Sequence, residues 1–362
     1  MIEPVRSVLL LAEGLGVHDD GRPIGAFLDR LESLGVDAQV VCVEAAGDAA
    51  ADVRVVESPG LAHRWRLPLA VRGLRFGERI NRPDLLHVLQ SRMGEAGLAV
   101  AEHWRVPYVQ TVDEFVPDEG RLRVSKRWCK RLVATSRELA DDLRVQLRVP
   151  VSFVEVVNPG IEAPEALAPR DARRRVAVIG TAGPLVASSG FATFLNAARR
   201  VVDAGVDAEF VIAGQGEDEV DLRRRADRLK IADRVTFAGI PVVGLRYWTV
   251  LDVFCQPSLV PSVGRTLATA LAFGVPAVAS DTDGLRALVS PERNNGLRVP
   301  PGESGPLARA ILDLLAEPDR ARALGAEGRA MILRDYRPDA EAKRLAEIYA
   351  SVLDAVEVAV GP

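Results

Sequence analysis

The chain reads as α/β: two doubly wound domains, each on a parallel sheet, joined by a linker and closed by a long terminal helix. Three observations predict this. Short continuous apolar runs alternate with segments of helical apolar spacing, and a strand buried on both faces reads as such a run. The alternation breaks at 161–175, which is rich in alanine, proline and charge and has no steady apolar period, and then it restarts. A chain of 362 residues with 48% hydrophobic content supplies more than one core.

In the first half, Val8-Leu9-Leu10-Leu11-Ala12 is the opening strand. Gly14 and Gly16 follow, then a polar loop over 18–23 that contains Arg22. The segment 24–34 carries Phe27, Leu28, Leu31 and Leu34 at helical spacing and stops at Gly35. Further strands are predicted at 38–43, 85–89, 108–112, 132–134 and 154–157, with helical segments between them. The second half restarts with a strand at 176–179, a Gly/Ser-rich loop at 180–190 and a helix at 191–204. A strand at 209–213 ends in Gly214-Gln215-Gly216, and one at 235–237 ends in Gly239-Ile240-Pro241. A charged helix, 219–229, lies between them. Then come a strand at 253–255, a loop holding Pro257, Pro261 and Gly264, a helix at 265–273 and a strand at 277–279. Helices at 306–315, 318–334 and 338–356 finish the chain, the last with Leu345, Ile348, Tyr349 and Val352 on one face. The expected domains are 1–160 and 176–337, with a linker at 161–175 and a terminal helical segment at 338–362.

The formal net charge of −4 makes no electrostatic case for nucleic acid. Cys42, Cys129 and Cys255 lie far apart, which argues against a disulfide framework or a zinc site and fits a reducing compartment. The apolar run at 8–12 is too short for a signal peptide, and no run approaches the length of a membrane span. A cytoplasmic location is expected.

In open α/β sheets the ligand sits at the carboxyl ends of the strands. Two such domains facing across a cleft would line it with loops 14–23, 90–93 and 113–115 from the first and 180–190, 214–217, 239–242 and 259–266 from the second. The helix beginning at Arg265 and Thr266 is the best seat for an anion. Its first N–H groups have no partner within the helix, and its end carries a partial charge of roughly +0.5.

An ordered series of segments resembles the retaining glycosyltransferases of family 4, the group 1 enzymes of GT-B fold. In the second half these are VAVIGTAGPLVASSGFATFLNAARRV, EFVIAGQGEDEVDLRRRADRLKIADRVTFAGIP, LDVFCQPS, GRTLATALAFGVPAVASDTDGLRALV and NNGLRVPPGESGPLARAIL. In the first half PDLLHVLQ, VPYVQTVDE, LVATSRELADDL and VVNPGI follow the family order. The resemblance implies two Rossmann-like domains, an acceptor domain and then a nucleotide-sugar domain, with the last helix returning to the first. It implies a nucleotide-diphosphate sugar as substrate, no separate cofactor, and a glycan or lipid-linked acceptor. No Asp-x-Asp motif stands in a loop suited to a metal, so metal-independent transfer is expected. From the loops and the resemblance together, the candidate positions for donor binding are Gly183, Ser189, Gly190, Gly214, Gly216, Ile240, Pro241, Gly264, Arg265, Thr266 and Thr269. The candidates for catalysis are His87, Asp113 and Glu114, with Gly14, Gly16, Arg22 and Arg92 on the first domain's side of the cleft.

The departures from the family pattern are specific. Pro184 and Ser189 stand where the family carries an Arg and a Lys for the diphosphate. Pro261 and Thr269 stand where it carries two glutamates for the sugar and the ribose. Asp113-Glu114 stands where a His-Asp pair is frequent. Stabilising the leaving diphosphate is the main catalytic task in sugar transfer, and one aimed donor typically supplies about 2–4 kcal/mol. Two readings follow: a transferase with replacement contacts, Arg265 and backbone N–H groups among them, or a non-catalytic GT-B protein that binds a nucleotide, a glycan or a partner. The residue types also admit plain roles, with Arg265 in solvent, Thr269 packed in its helix and His87 structural. Two basic stretches, 63–82 around Trp65 and 121–131 around Trp128, are candidates for peripheral membrane contact at the inner face of the membrane, or are solvated helix faces.

Overall fold

The computed structural model describes residues 6–15, 24–45, 52, 54–74, 80, 82–115, 122, 124–167, 176–239 and 245–360. The chain divides into two compact units, 1–160 with 338–362, and 161–337. Each has its own parallel sheet.

The first sheet has seven strands: β1 (Arg6–Leu15), β2 (Val36–Ala45), β3 (Val55–Glu57), β4 (Leu85–Val88), β5 (Tyr108–Val112), β6 (Cys129–Ala134) and β7 (Val154–Val156). Their order is β3-β2-β1-β4-β5-β6-β7, so the winding reverses between β1 and β4. The helices are α1 (Ile24–Ser33), α2 (Leu67–Gly73), α3 (Gly94–Trp104) and α4 (Arg137–Leu147). Alternate residues along β1 face opposite sides, as a pleated strand requires. Val8, Leu10 and Ala12 pack with Phe27, Leu28 and Leu31 of α1. The same cluster contains Leu345, Ile348, Tyr349 and Val352 of the terminal helix, α12 (Pro338–Val360). That apolar stripe places the last helix in the first unit although the second unit precedes it in sequence.

The second sheet has six strands: β8 (Ala177–Ala182), β9 (Ala208–Ala213), β10 (Val235–Ala238), β11 (Val253–Gln256), β12 (Ala277–Ser280) and β13 (Leu297–Val299). The order is β10-β9-β8-β11-β12-β13, with the reversal between β8 and β11. Its helices are α5 (Phe191–Asp203), α6 (Glu219–Arg228), α7 (Leu245–Val250), α8 (Arg265–Ala272), α9 (Leu285–Leu288), α10 (Ser304–Ala316) and α11 (Pro318–Asp335). Ile179, Phe210, Val253 and Cys255 point into one core with α5 and α10, and Val178, Phe254 and Ala279 point into the other with α7 and α8.

Several expectations change. The sequence missed β3 and β13, each three residues long and too short for a periodic signal. Gly14 is not in a loop: it lies inside β1, buried and paired with Glu44 of β2. The first part of the expected linker is packed on the second unit. Ile161 is buried, its N–H donates to the Tyr336 carbonyl at 2.9 Å, and Arg329 donates to the carbonyl of Pro164. Residues 168–175, Gly16, Arg22, Ile240 and Pro241 lie outside the described residues.

Candidate functional site

In the second unit the two loops at the reversal point, after β8 and after β11, are pressed together. Gly190 precedes α5 at φ +75°, and a Cβ built there would fall onto the Pro257 carbonyl. The Leu259 N–H donates to the Ser188 carbonyl at 2.8 Å. The loop after β9 joins the stack: Gly214, at φ +149°, lies against the Gly183 carbonyl, and Gly216 against that of Leu185. A side chain at either position would part the loops.

The backbone donors expected for phosphate need correction. The N–H groups of Gly183, Gly190 and Gly264 already donate within the unit, to Ala213, Ala187 and the Ser262 hydroxyl. These glycines shape the loops. Three of the four substituted positions are likewise engaged locally. The Ser189 hydroxyl donates to the Pro184 carbonyl at 2.7 Å, so two of them bond to each other. Thr269 is buried, and its hydroxyl donates back to the Arg265 carbonyl at 3.1 Å. It packs within α8 and does not reach outward, which corrects its expected role toward a ribose. Pro261 is exposed at the loop tip, and Arg265 and Thr266 are half-buried at the start of α8.

An Asp-x-Asp does occur beyond β12, at Asp281-Thr282-Asp283, but its charges are matched. Arg286 donates to Asp281 and to Asp283 at 2.8 Å each, and Arg298 lies 3.3 Å from Asp281. The Arg286 guanidinium holds the Asp281 carboxyl below the usual carboxylate range. Among the described residues no group of three or more His, Cys, Asp or Glu side chains is arranged to hold a metal.

In the first unit the carboxyl ends of β1, β4 and β5 converge. The Glu13 N–H donates to Gln90 Oε1 at 3.0 Å, bridging β1 and the loop after β4. Asp113 accepts from both the N–H and the hydroxyl of Ser91, at 2.9 and 2.7 Å, and its own N–H donates back to the Ser91 hydroxyl at 3.1 Å. Asp113 therefore holds the loop. Glu114 is left as the carboxylate facing outward, 49% exposed, with Arg92 at 3.6 Å. Partial burial raises its carboxyl above the ordinary range; Arg92 opposes this, and Asp113 and Glu13 add to it.

His87 departs from its expected catalytic role. It is fully buried, with Nδ1 2.6 Å from the Tyr349 hydroxyl and Nε2 2.8 Å from Thr111 Oγ1. Both ring nitrogens are engaged, and the ring meets that of Tyr349 edge-on at 5.5 Å. His87 fastens α12 to the sheet. The three cysteines are buried as well, and burial pushes the thiols of Cys42 and Cys129 up to about 11 and about 12.

Two three-layer α/β units with these strand orders and glycine-stacked loops at the reversal define the GT-B architecture. Residues 24–163 match the model of Glycosyltransferase Family 4, and residues 176–317 match that of Glycosyl transferases group 1. The chain belongs to this family, the group 1 (family 4) glycosyltransferases of GT-B fold. It is 29% identical over 223 residues to a GDP-mannose-dependent alpha-(1-6)-phosphatidylinositol monomannoside mannosyltransferase of Mycobacterium tuberculosis, covering 55% of this chain and 56% of the relative. It is 28% identical over 296 residues to a D-inositol 3-phosphate glycosyltransferase of Kribbella flavida, covering 70% of this chain and 69% of that one. The chain thus spans about half the length of the first relative. Among solved structures, HepE of Anabaena in complex with UDP and glucose superposes with a TM-score of 0.77 at 16% identity, over 95% of this chain and 99% of that one.

Proposed function

We propose that the chain transfers a sugar from a nucleotide-diphosphate donor to a glycan or lipid-linked acceptor, without a metal and with retention of configuration. The reading rests most on one observation: the loops at the reversal of the second sheet keep the close glycine packing of a nucleotide-sugar domain, and α8 begins at their edge. The two sequence relatives named above, both transferases by name, support the same reading and lend nothing to a non-catalytic one. With the usual charged positions substituted, Arg265 at the start of α8 and the first-turn N–H groups of α5 and α8 are the groups that would meet the diphosphate. Titration calorimetry with UDP, GDP and their sugars tests this. Absence of binding to all of them would overturn it, and Arg265→Ala is expected to weaken nucleotide binding at least tenfold, the loss of one charge-assisted contact.

On the first unit, Glu114 is the residue placed to meet the acceptor hydroxyl, with Asp113 holding its loop. A carboxyl raised by burial gives up its proton at higher pH than an ordinary glutamate. The acid limb of the pH–rate profile is therefore expected above the ordinary carboxylate range, near 4.3 for free glutamate. Glu114→Gln should remove that limb along with most of the rate. A limb that persists in Glu114→Gln would assign it to another group.

A cytoplasmic position with peripheral contact at the membrane's inner face belongs to the same reading. Trp65 and Leu69 stand out from the first unit at 72% and 69% exposure, among the exposed Arg64, Arg66 and Arg72. They border an open groove of about 600 Å³ walled by Val56, Ala70, Leu74 and Ile80. In the second basic stretch Trp128 is only partly exposed. No helix among the described residues is long and apolar enough to cross a membrane.

A further inference from the structure

The carboxyl ends of β11 and β12 leave two deeply buried polar atoms without a partner. Gln256 closes β11 and is 7% exposed; its amide nitrogen donates to the Ser258 hydroxyl at 3.2 Å, and its carbonyl oxygen meets no donor. Turning the amide over would exchange which atom is unpaired without changing the number. Thr282, two residues beyond β12, is also 7% exposed, and its hydroxyl meets nothing. The sheet brings their strand ends side by side. Gln256 is in register with Ala279 of β12, and the Ser262 N–H donates to the Asp283 carbonyl at 3.1 Å, tying the loop after β11 to the loop that holds Thr282. Phe254 packs in the core that contains α8, and alternation along β11 puts Gln256 on that same face, at the end of the strand where α8 begins.

Buried polar groups in folded proteins are paired as a rule, and an unpaired one calls for a missing partner. The hydroxyls of Ser189 and Thr269, at two of the substituted donor positions, are already satisfied locally. Gln256 and Thr282, both uncharged, keep unused hydrogen-bonding capacity at this end of the sheet, as does Thr181 Oγ1 near the end of β8.

Resting on the reading of the second unit as a nucleotide-sugar domain, we propose that Gln256 and Thr282 determine which sugar is accepted. They bind hydroxyl or amino groups of the transferred ring through neutral hydrogen bonds, beside the loop where Pro261 replaces a carboxylate. A sugar lacking the group that pairs with Gln256 leaves a buried carbonyl unmatched and is rejected. Neutral contacts also make the sugar's share of the affinity insensitive to salt.

Calorimetry on the full chain with UDP, GDP, UDP-glucose and GDP-mannose tests this with Gln256→Leu and Thr282→Val, both close in shape to the originals. Each variant is expected to bind bare nucleotide within twofold of the original and the preferred nucleotide sugar about three- to tenfold more weakly. The melting temperature of Thr282→Val should not fall, because an unmatched buried hydroxyl has been removed; Gln256→Leu also loses the bond to Ser258, so its fall should stay near the worth of one hydrogen bond. Unchanged nucleotide-sugar affinity in both variants would overturn the assignment and leave the donor reading standing. An equal loss of nucleotide and nucleotide sugar with a lowered melting temperature would assign the pair to packing, and Gln256→Met, which keeps the side chain's length, should then restore both. If the original chain binds none of the four, the donor reading falls and the assignment falls with it.

Discussion

Gly190→Ala is expected to destabilise the second unit by about 2–4 kcal/mol and to abolish measurable nucleotide binding. Two effects combine. Gly190 sits at φ +75°, where an L-residue costs about 1–2 kcal/mol. The added methyl would also fall onto the Pro257 carbonyl, a backbone atom that cannot rotate away as a side chain end could. The loops after β8 and β11 would have to separate, breaking the 2.8 Å bond from Leu259 to Ser188 and moving the starts of α5 and α8 relative to each other. In a unit of this size the melting temperature should fall by roughly 5–15 °C. Gly205→Ala is the control: its φ of +81° carries similar strain, but nothing lies within 4 Å of the new methyl. A loss in Gly190→Ala no larger than in Gly205→Ala would show that the loops do not depend on this contact.

His87→Ala is expected to destabilise the first unit by about 3–5 kcal/mol while leaving nucleotide affinity in the second unchanged. The substitution empties a ring-sized space in a closed core. It also removes the imidazole that the Tyr349 hydroxyl and Thr111 Oγ1 meet at 2.6 and 2.8 Å. Tyr349→Phe removes one of those bonds and should cost about 1 kcal/mol, and the double variant should cost less than the sum because the two residues share a contact. Calorimetric unfolding of the four proteins closes the cycle. A variant that kept its stability and lost only turnover would restore the catalytic role that the strand-end position suggested.

The two domains, the place where the pattern restarts and most helix bounds were legible because they rest on local signals. Val8 to Ala12 reads as a doubly buried strand, and α1 ends one residue before Leu34, within the fraying expected at a helix end. The short edge elements β3 and β13 were not legible, since three residues carry no period and their pairing is set by the neighbouring strand. What the candidate side chains meet was not legible. Asp113 and Glu114 are adjacent acids in the sequence, yet only the fold gives one to Ser91 and leaves the other outward.

The sequence by itself determined the family, the two α/β domains and the four positions that depart from the family pattern, because residue type and spacing are properties of the chain alone. Only the tertiary structure decided that Ser189 and Thr269 are satisfied locally, that His87 is a buried fastening for α12, and that Gln256 and Thr282 are among the buried side chains left with an unpaired atom. Hydrogen-bond satisfaction depends on which groups meet from distant parts of the chain and on how little water reaches them, and neither is written in local spacing.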